Sequence, residues 1–505
     1  MADDAASGST AVDMHALASR LRASAHDAAA LVPLCSEVSA HPDQAAAALA
    51  AGVLPLVLQA LHAHTQDKEL ASAACFALSS LRVDTDSADL AADAASITRA
   101  ATLVLVAHGA QSPRCAVAAA LVLDDWCHLV KGERHFAGAM AALATALQAR
   151  PEEVTVQHMC LRALLAVART EHGQQVSGEH AEDNARALDA AVSALERHAA
   201  TSRDVAAVAC GVICVVSEQL PESERAGMCT KAALAVVAVL GTYPDDARLF
   251  GSAGLALYTL VPAPPSPREL DPATVAAGRA AAEAGVFGVV AGALERAHAQ
   301  GILGADLRLP VGACQALWSV APHAATSQVA MQPDQAARAT AAACDVLTWS
   351  LAECERRSVA HKRGEDEQQA MQLMLAVRAV LTLAASSAAH ADIVRSKGLV
   401  AQLPQLAVVA PPLYRTYTKL FAPPSDPTSA VRQMHGILLG SCGFCGAAAG
   451  PASPALKKCG GCRSVAYCST ACQRHAWLER GHPAVCAAAA AAARAAASHA
   501  ASATN

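Results

Sequence analysis

The chain has 505 residues, of which 54% are hydrophobic, 3% aromatic and 16% charged, with a formal net charge of −6 and a pI near 6.4. The apolar excess is mostly Ala, the best helix former, so closely packed helices are favoured over sheets. With an acidic balance and no run of five or more Lys/Arg, the composition lacks the basic face of a nucleic-acid binder.

The first residues, MADDAASGST, are polar and acidic, so 1–12 reads as a disordered start and not as a secretory signal. The longest uncharged apolar runs, such as VAAVACGVICVV at 205–216, hold about a dozen residues, too few to span a bilayer. The expectation is a soluble intracellular protein, in cytoplasm or nucleus, with no membrane partner.

From residue 13 to about 403 one pattern recurs: LASAACFALSSL (70–81), CAVAAALVLDDW (115–126), QHMCLRALLAVA (157–168), AVACGVICVVSE (207–218), GSAGLALYTLVP (251–262), ACQALWSVAPHA (313–324) and MLAVRAVLTLAA (374–385). Aligning a central small or apolar residue gives Ala77, Ala120, Ala163, Val212, Ala256, Ala316 and Ala379, spaced by 43, 43, 49, 44, 60 and 63 residues. Polar or Pro-rich insertions lengthen three intervals, at 171–183, 261–272 and 353–369, and are expected as loops. Several repeats carry a preceding amphipathic helix opened by a Gly–apolar turn, at 50–64, 281–297 and 396–408.

This pattern resembles armadillo or HEAT repeats. The implied fold is an all-α armadillo-like solenoid. Armadillo proteins that carry nuclear cargo line their groove with Asn and Trp. This chain has two asparagines, Asn184 and Asn505, which argues against such a receptor. The solenoid is expected to offer a surface to a further protein partner.

Eleven of the eighteen cysteines lie singly in these apolar stretches, between Cys35 and Cys354. Free Cys behaves as a small hydrophobe, so Cys75, Cys210 and Cys314, which share one repeat position, read as core. The i,i+4 pair Cys210/Cys214 has no His or second pair beside it and reads the same way.

Residues 404–441 are Pro-rich and read as a linker with a short helix at 429–440. Beyond them the other seven cysteines crowd into Cys442-x2-Cys445-x13-Cys459-x2-Cys462-x5-Cys468-x3-Cys472-x9-His482-x3-Cys486. In an intracellular chain such CxxC pairs read as metal ligands, not disulfides. Zinc takes four thiolate or imidazole donors tetrahedrally, so eight donors imply two closed, structural sites with no position left for a catalytic water.

The run Cys459-GG-Cys462-RSVA-Tyr467-Cys468-STA-Cys472-Gln473-RHA-Trp477, followed by His482 and Cys486, resembles the MYND-type zinc finger. Two loops are longer than the family pattern: the spacer before Cys459, and the four residues between Trp477 and His482. The resemblance implies interleaved ligation, with Cys442, Cys445, Cys468 and Cys472 on one zinc and Cys459, Cys462, His482 and Cys486 on the other. It further implies that a proline-containing peptide lies along a hairpin around Arg463–Cys468 and meets Gln473 and Trp477. Tyr467 is expected to support the hairpin. Gly460 stands where some relatives have a polar contact residue.

Counting two zinc ions and seven thiolates, the module's charge comes to about +1, which does not favour nucleic acid. A SET methyltransferase, which accompanies some MYND fingers, would need an Asn-His-Ser-Cys motif that this chain lacks. No P-loop, GxGxxG before a helix, HExxH or GxSxG occurs. Asp124-Asp125, beside Trp126 and His128, is the nearest approach to a reactive cluster and reads as the exposed end of a repeat helix. The expectation is a non-enzymatic scaffold with a two-zinc finger at 442–486 and a low-complexity Ala-rich tail at 487–505.

Overall fold

The computed structural model describes residues 12–402 apart from 83–87, 130–137, 172–180, 221, 263–271, 305, 327–332, 359–365, 387, 400 and 401, and further along 457–458 and 466–467. The expected disordered start, apart from Val12, lies outside the described residues, as do the linker at 404–441 and the tail. The chain divides into two compact units, Met1–His198 and Ala199–Asn505.

Among the described residues, the first unit contains α1 (Met14–Ala23), α2 (Ala28–Ser39), α3 (Ala45–Ala50), α4 (Val53–Ala63), α5 (Lys68–Ser80), α6 (Ala88–Val104), α7 (Pro113–Trp126), α8 (Ala139–Ala149), α9 (Val154–Glu171) and α10 (Ala181–His198). A one-turn π segment, Leu105–Gly109, continues α6. Helices α2, α5, α7 and α9 pack side by side in that order, and α4, α6, α8 and α10 form a second layer against them.

The second unit contains α11 (Arg203–Ser217), α12 (Glu222–Thr242), α13 (Ala247–Leu260), α14 (Pro272–Glu283), α15 (Val286–Ala299), α16 (Arg308–Thr326), α17 (Pro333–Ser358), α18 (Asp366–Ser386) and α19 (Ala388–Ser396). Here α11, α13, α16 and α18 stack in sequence, backed by α12, α14, α15, α17 and α19. This two-layer stacking within each unit is the arrangement an armadillo-like array requires. Among the described residues, no single helix is long and apolar enough to cross a membrane.

The side-by-side helices are those the repeat pattern marks, with α2 as an additional one ahead of them. Ala77, Ala120, Ala163, Val212, Ala256, Ala316 and Ala379 are all 0% exposed, so the small central residue sits where helix meets helix. Leu70, Leu123, Leu164, Leu257 and Leu317 fill the space around them, each worth about 1.5–3 kcal/mol when fully buried.

A side-chain cap starts most of these helices. Asp27 accepts from the Ala30 amide at 3.2 Å, Asp67 from Leu70 at 3.0 Å, Ser112 from Cys115 at 3.3 Å, Ser202 from Val205 at 3.4 Å and Asp246 from Leu249 at 3.0 Å. Each cap satisfies an otherwise orphaned N–H and contributes about 1 kcal/mol.

The Gly–apolar turns are corners. Gly52 (φ 74°) joins α3 to α4 and Gly285 (φ 85°) joins α14 to α15, at bends of 93° and 57°. The left-handed conformation at these corners favours glycine. Gly398 repeats the left-handed conformation at φ 76°, and Gly138 adopts it at φ 77° ahead of α8.

Neighbouring repeats are tied from the end of one helical segment to the loop of the next. His64 Nε2 lies 3.3 Å from the Ala25 carbonyl, His108 Nε2 2.7 Å from Thr65 O, and His198 Nε2 2.6 Å from Pro151 O. A carbonyl only accepts, so each ring donates from Nε2. Arg150 takes the equivalent place, donating to the carbonyls of Ala110 and Gln111 at 3.3 and 2.5 Å.

Two expectations need correction. The insertion at 353–369 is not all loop, because α17 continues to Ser358 and α18 begins at Asp366. Its Glu, Arg and Gln residues are good helix formers and extend both helices. The insertion at 171–183 is likewise not all loop, because α9 runs through Glu171 and α10 begins at Ala181.

Burial gives unit two a pH dependence. His323 is fully buried beside the Pro262 carbonyl at 3.3 Å, and desolvation lowers its pKa from 6.5 to about 4. The unfolded chain therefore takes up a proton below pH 6.5 that the folded chain refuses down to about pH 4. Stability from this group is complete above pH 6.5 and declines as pH falls through that window, by about 2 kcal/mol at pH 5. Urea midpoints read by helical ellipticity should fall between pH 7.5 and 5, and His323→Gln should flatten the fall. Parallel pH profiles for the two proteins would refute it.

Candidate zinc centre and the cysteines of the helical region

In the donor-rich segment the described backbone is a short antiparallel ladder. Strand β1 (Lys457–Lys458) pairs with β2 (Ala466–Tyr467), Lys457 opposite Tyr467 and Lys458 opposite Ala466. The hairpin therefore starts earlier than the expected Arg463–Cys468, and Cys459 and Cys462 belong to the segment that connects its strands. Cys468 follows β2 directly, at the other end of the ladder. Tyr467 is 1% exposed, which fits its expected supporting place.

The eight expected ligands, Cys442, Cys445, Cys459, Cys462, Cys468, Cys472, His482 and Cys486, lie outside the described residues, as do Gln473 and Trp477. The donor set itself fits zinc: seven thiols and one imidazole, in four pairs with two or three residues between partners.

The helical cysteines form a different population. Cys35, Cys75, Cys160, Cys210, Cys314 and Cys344 are fully buried among apolar neighbours. Desolvation pushes the thiols of Cys35, Cys160, Cys210, Cys314 and Cys344 up to about 12, and Cys75 rises in the same direction. At neutral pH they stay protonated, and a protonated thiol is neither a good ligand nor a nucleophile. Among the described residues no group of three or more His, Cys, Asp or Glu is placed to hold a metal. Native, zinc-loaded protein should therefore react slowly with a thiol reagent at these positions, and a chelator should release only the seven thiols of 442–486 quickly. Rapid modification of Cys75 or Cys210 in the folded chain would contradict this.

Asp124 and Asp125 are occupied by structure. Asp125 accepts from Ser79 Oγ and pairs with Arg82 at 3.1 Å, while Asp124 pairs with Arg162. These bonds tie α5, α7 and α9 together at one end, and Trp126 Nε1 donates to the Leu78 carbonyl at 3.0 Å. Both carboxylates are largely covered, so they are less exposed than the expected helix end.

The protein is thus a helical-repeat chain with a cysteine–histidine module at 442–486. That module is a MYND finger: residues 442–486 match the MYND finger family model, from the first expected ligand to the last. MYND fingers bind zinc and act in protein–protein interaction, and both properties come to this chain with the match. No curated protein matches the chain.

Proposed function

We propose that the protein is a non-enzymatic interaction scaffold in which the finger captures proline-containing peptides and the helical region holds a further protein. The observation that carries this is the family match across the whole donor pattern. Two zinc ions hold the module, Cys442, Cys445, Cys468 and Cys472 binding one and Cys459, Cys462, His482 and Cys486 the other. The ladder supports this pairing, since Cys459 and Cys468 follow opposite ends of it. The peptide adds along the hairpin as a strand would, its apolar residues against Trp477 and Gln473. The protein works inside the cell, in cytoplasm or nucleus, and binds neither nucleic acid nor membrane.

The test is a peptide-library selection on the zinc-loaded chain. A proline-containing motif should enrich and be lost in Trp477→Ala, whose zinc content stays at two per chain. Selection of the same proline-containing motif, at undiminished strength, by Trp477→Ala would overturn the peptide assignment, and one zinc per chain would overturn the ligand pairing.

A further inference from the structure

Between the C-terminal end of α8, the first turn of α9 and the second half of α10, the first unit forms a half-enclosed cavity of about 180 Å³. Ala190, Ser193, Ala194 and Arg197 line it from one stripe of α10, at positions i, i+3, i+4 and i+7. Leu147 of α8 and Gln157 of α9 complete the walls used below.

Gln157 is 2% exposed, and its Nε2 donates to the Leu147 carbonyl at 2.7 Å and the Arg150 carbonyl at 3.0 Å, acceptors that the end of α8 leaves open. Both N–H bonds of the amide are thus spent, and among the described residues nothing donates to its Oε1. Ser193 is half-buried in the wall and also has no hydrogen-bond partner among the described residues, although a helical serine commonly bonds the carbonyl four positions back. The cavity therefore holds one buried acceptor and one hydroxyl that the chain does not satisfy. Its cation, Arg197, is already paired with Glu152 at the surface.

These features select a ligand. The volume is too small for a nucleotide or a drug-sized cofactor, whose pockets run to about 300–1,000 Å³. A cavity of about 150 Å³ admits benzene, so this one has space for a six-membered ring with one small substituent. Leu147, Ala190 and Ala194 offer apolar walls to the ring. Gln157 Oε1 needs a donor and Ser193 Oγ can donate, so one hydroxyl satisfies both. With Arg197 already paired, nothing in the cavity favours an anion. We infer that the cavity is a binding site for a phenol-type ring, its hydroxyl donating to Gln157 and accepting from Ser193. The ring belongs either to a tyrosine of a bound protein or to a free small molecule, and only the first source rests on the proposed role of the helical region in holding a second protein.

The experiment titrates phenol into the full zinc-loaded chain and follows its ring-proton signals by NMR. Binding should saturate. Anisole, whose oxygen cannot donate, should bind about fivefold more weakly, as should phenol to Ser193→Ala, each having lost one neutral hydrogen bond. Ser193→Leu, whose side chain occupies the cavity, should abolish binding. Panning a random 12-residue displayed library on the full zinc-loaded chain carrying Trp477→Ala, which silences the finger, separates the two sources. Tyrosine-containing peptides that enrich there and are lost when Ser193→Leu is added place the ring on a protein. Phenol binding without such enrichment makes it a free molecule.

Phenol that fails to bind, or that binds Ser193→Leu as it binds the parent, would overturn the site and leave the cavity to water. Anisole bound as tightly as phenol would overturn the choice of a hydroxylated ring. Helical ellipticity and melting temperature identify any variant that fails to fold, and the anisole comparison needs no variant. The finger is judged separately, by the motif that the unmodified chain selects and Trp477→Ala loses.

Discussion

Removing zinc at neutral pH is expected to unfold 442–486 while the helical transition of the chain stays where it was. Forty-five residues with so few large apolar side chains bury too little surface to fold alone. The described ladder has two residue pairs, and an isolated hairpin of that length is marginal in water. Cohesion must then come from the metal, which contributes on the order of 10 kcal/mol or more per site in zinc-finger peptides. The helical units need no metal, because their cores are continuous Leu, Val and Ala packing.

A chelator should therefore expose Tyr467, free seven thiols and abolish peptide capture, with ellipticity at 222 nm almost unchanged. Cys468→Ser should reproduce most of this without chelator. A finger that keeps its protease resistance after the zinc is gone would refute the account.

The second large effect is expected at a glycine pair. Helices α13 and α16 approach so closely that a Cβ on Gly254 would lie 2.1 Å from the Gly312 carbonyl oxygen, and one on Gly312 would lie 2.5 Å from the Phe250 carbonyl oxygen. Both obstacles are helix backbone and cannot rotate aside as a side chain can. Relief requires moving one helix off the other, which breaks the packing around Ala256, Leu257, Ala316 and Leu317.

Overpacking a core costs about 1–3 kcal/mol, and displaced backbone puts Gly254→Ala at or beyond the top of that range. Gly227→Ala in α12 is the control. Its Cβ would meet nothing within 4 Å, so the better helix propensity should stabilise by about 0.5–1 kcal/mol. If the two substitutions shift the urea midpoint of the helical signal equally, the close contact is not what holds α13 to α16.

Much of this was legible along the chain. The small residue at the centre of each repeat helix marked the buried seam, because a helix that packs on both sides needs a narrow residue there whatever its partner. The Gly–apolar turns marked corners, since the left-handed backbone suits glycine. α2 escaped the pattern, although Asp27 ahead of it was a readable cap. The 42- to 48-residue spacing of His64, His108, Arg150 and His198 was a readable signal for the loop ties, diluted among twenty histidines.

What the sequence determined by itself is local chemistry: helical period, corner glycines and the donor spacing of the finger, each a property of residues close together along the chain. Only the tertiary structure decided which distant residues meet. Gly254 reaches Gly312 across 58 positions, Trp318 takes Arg378 across 60, and Asp124 and Asp125 turn from a suspected cluster into ties between α5, α7 and α9. Insertions of different length separate these partners, and the stacking of helices, which cancels those lengths, brings them into contact.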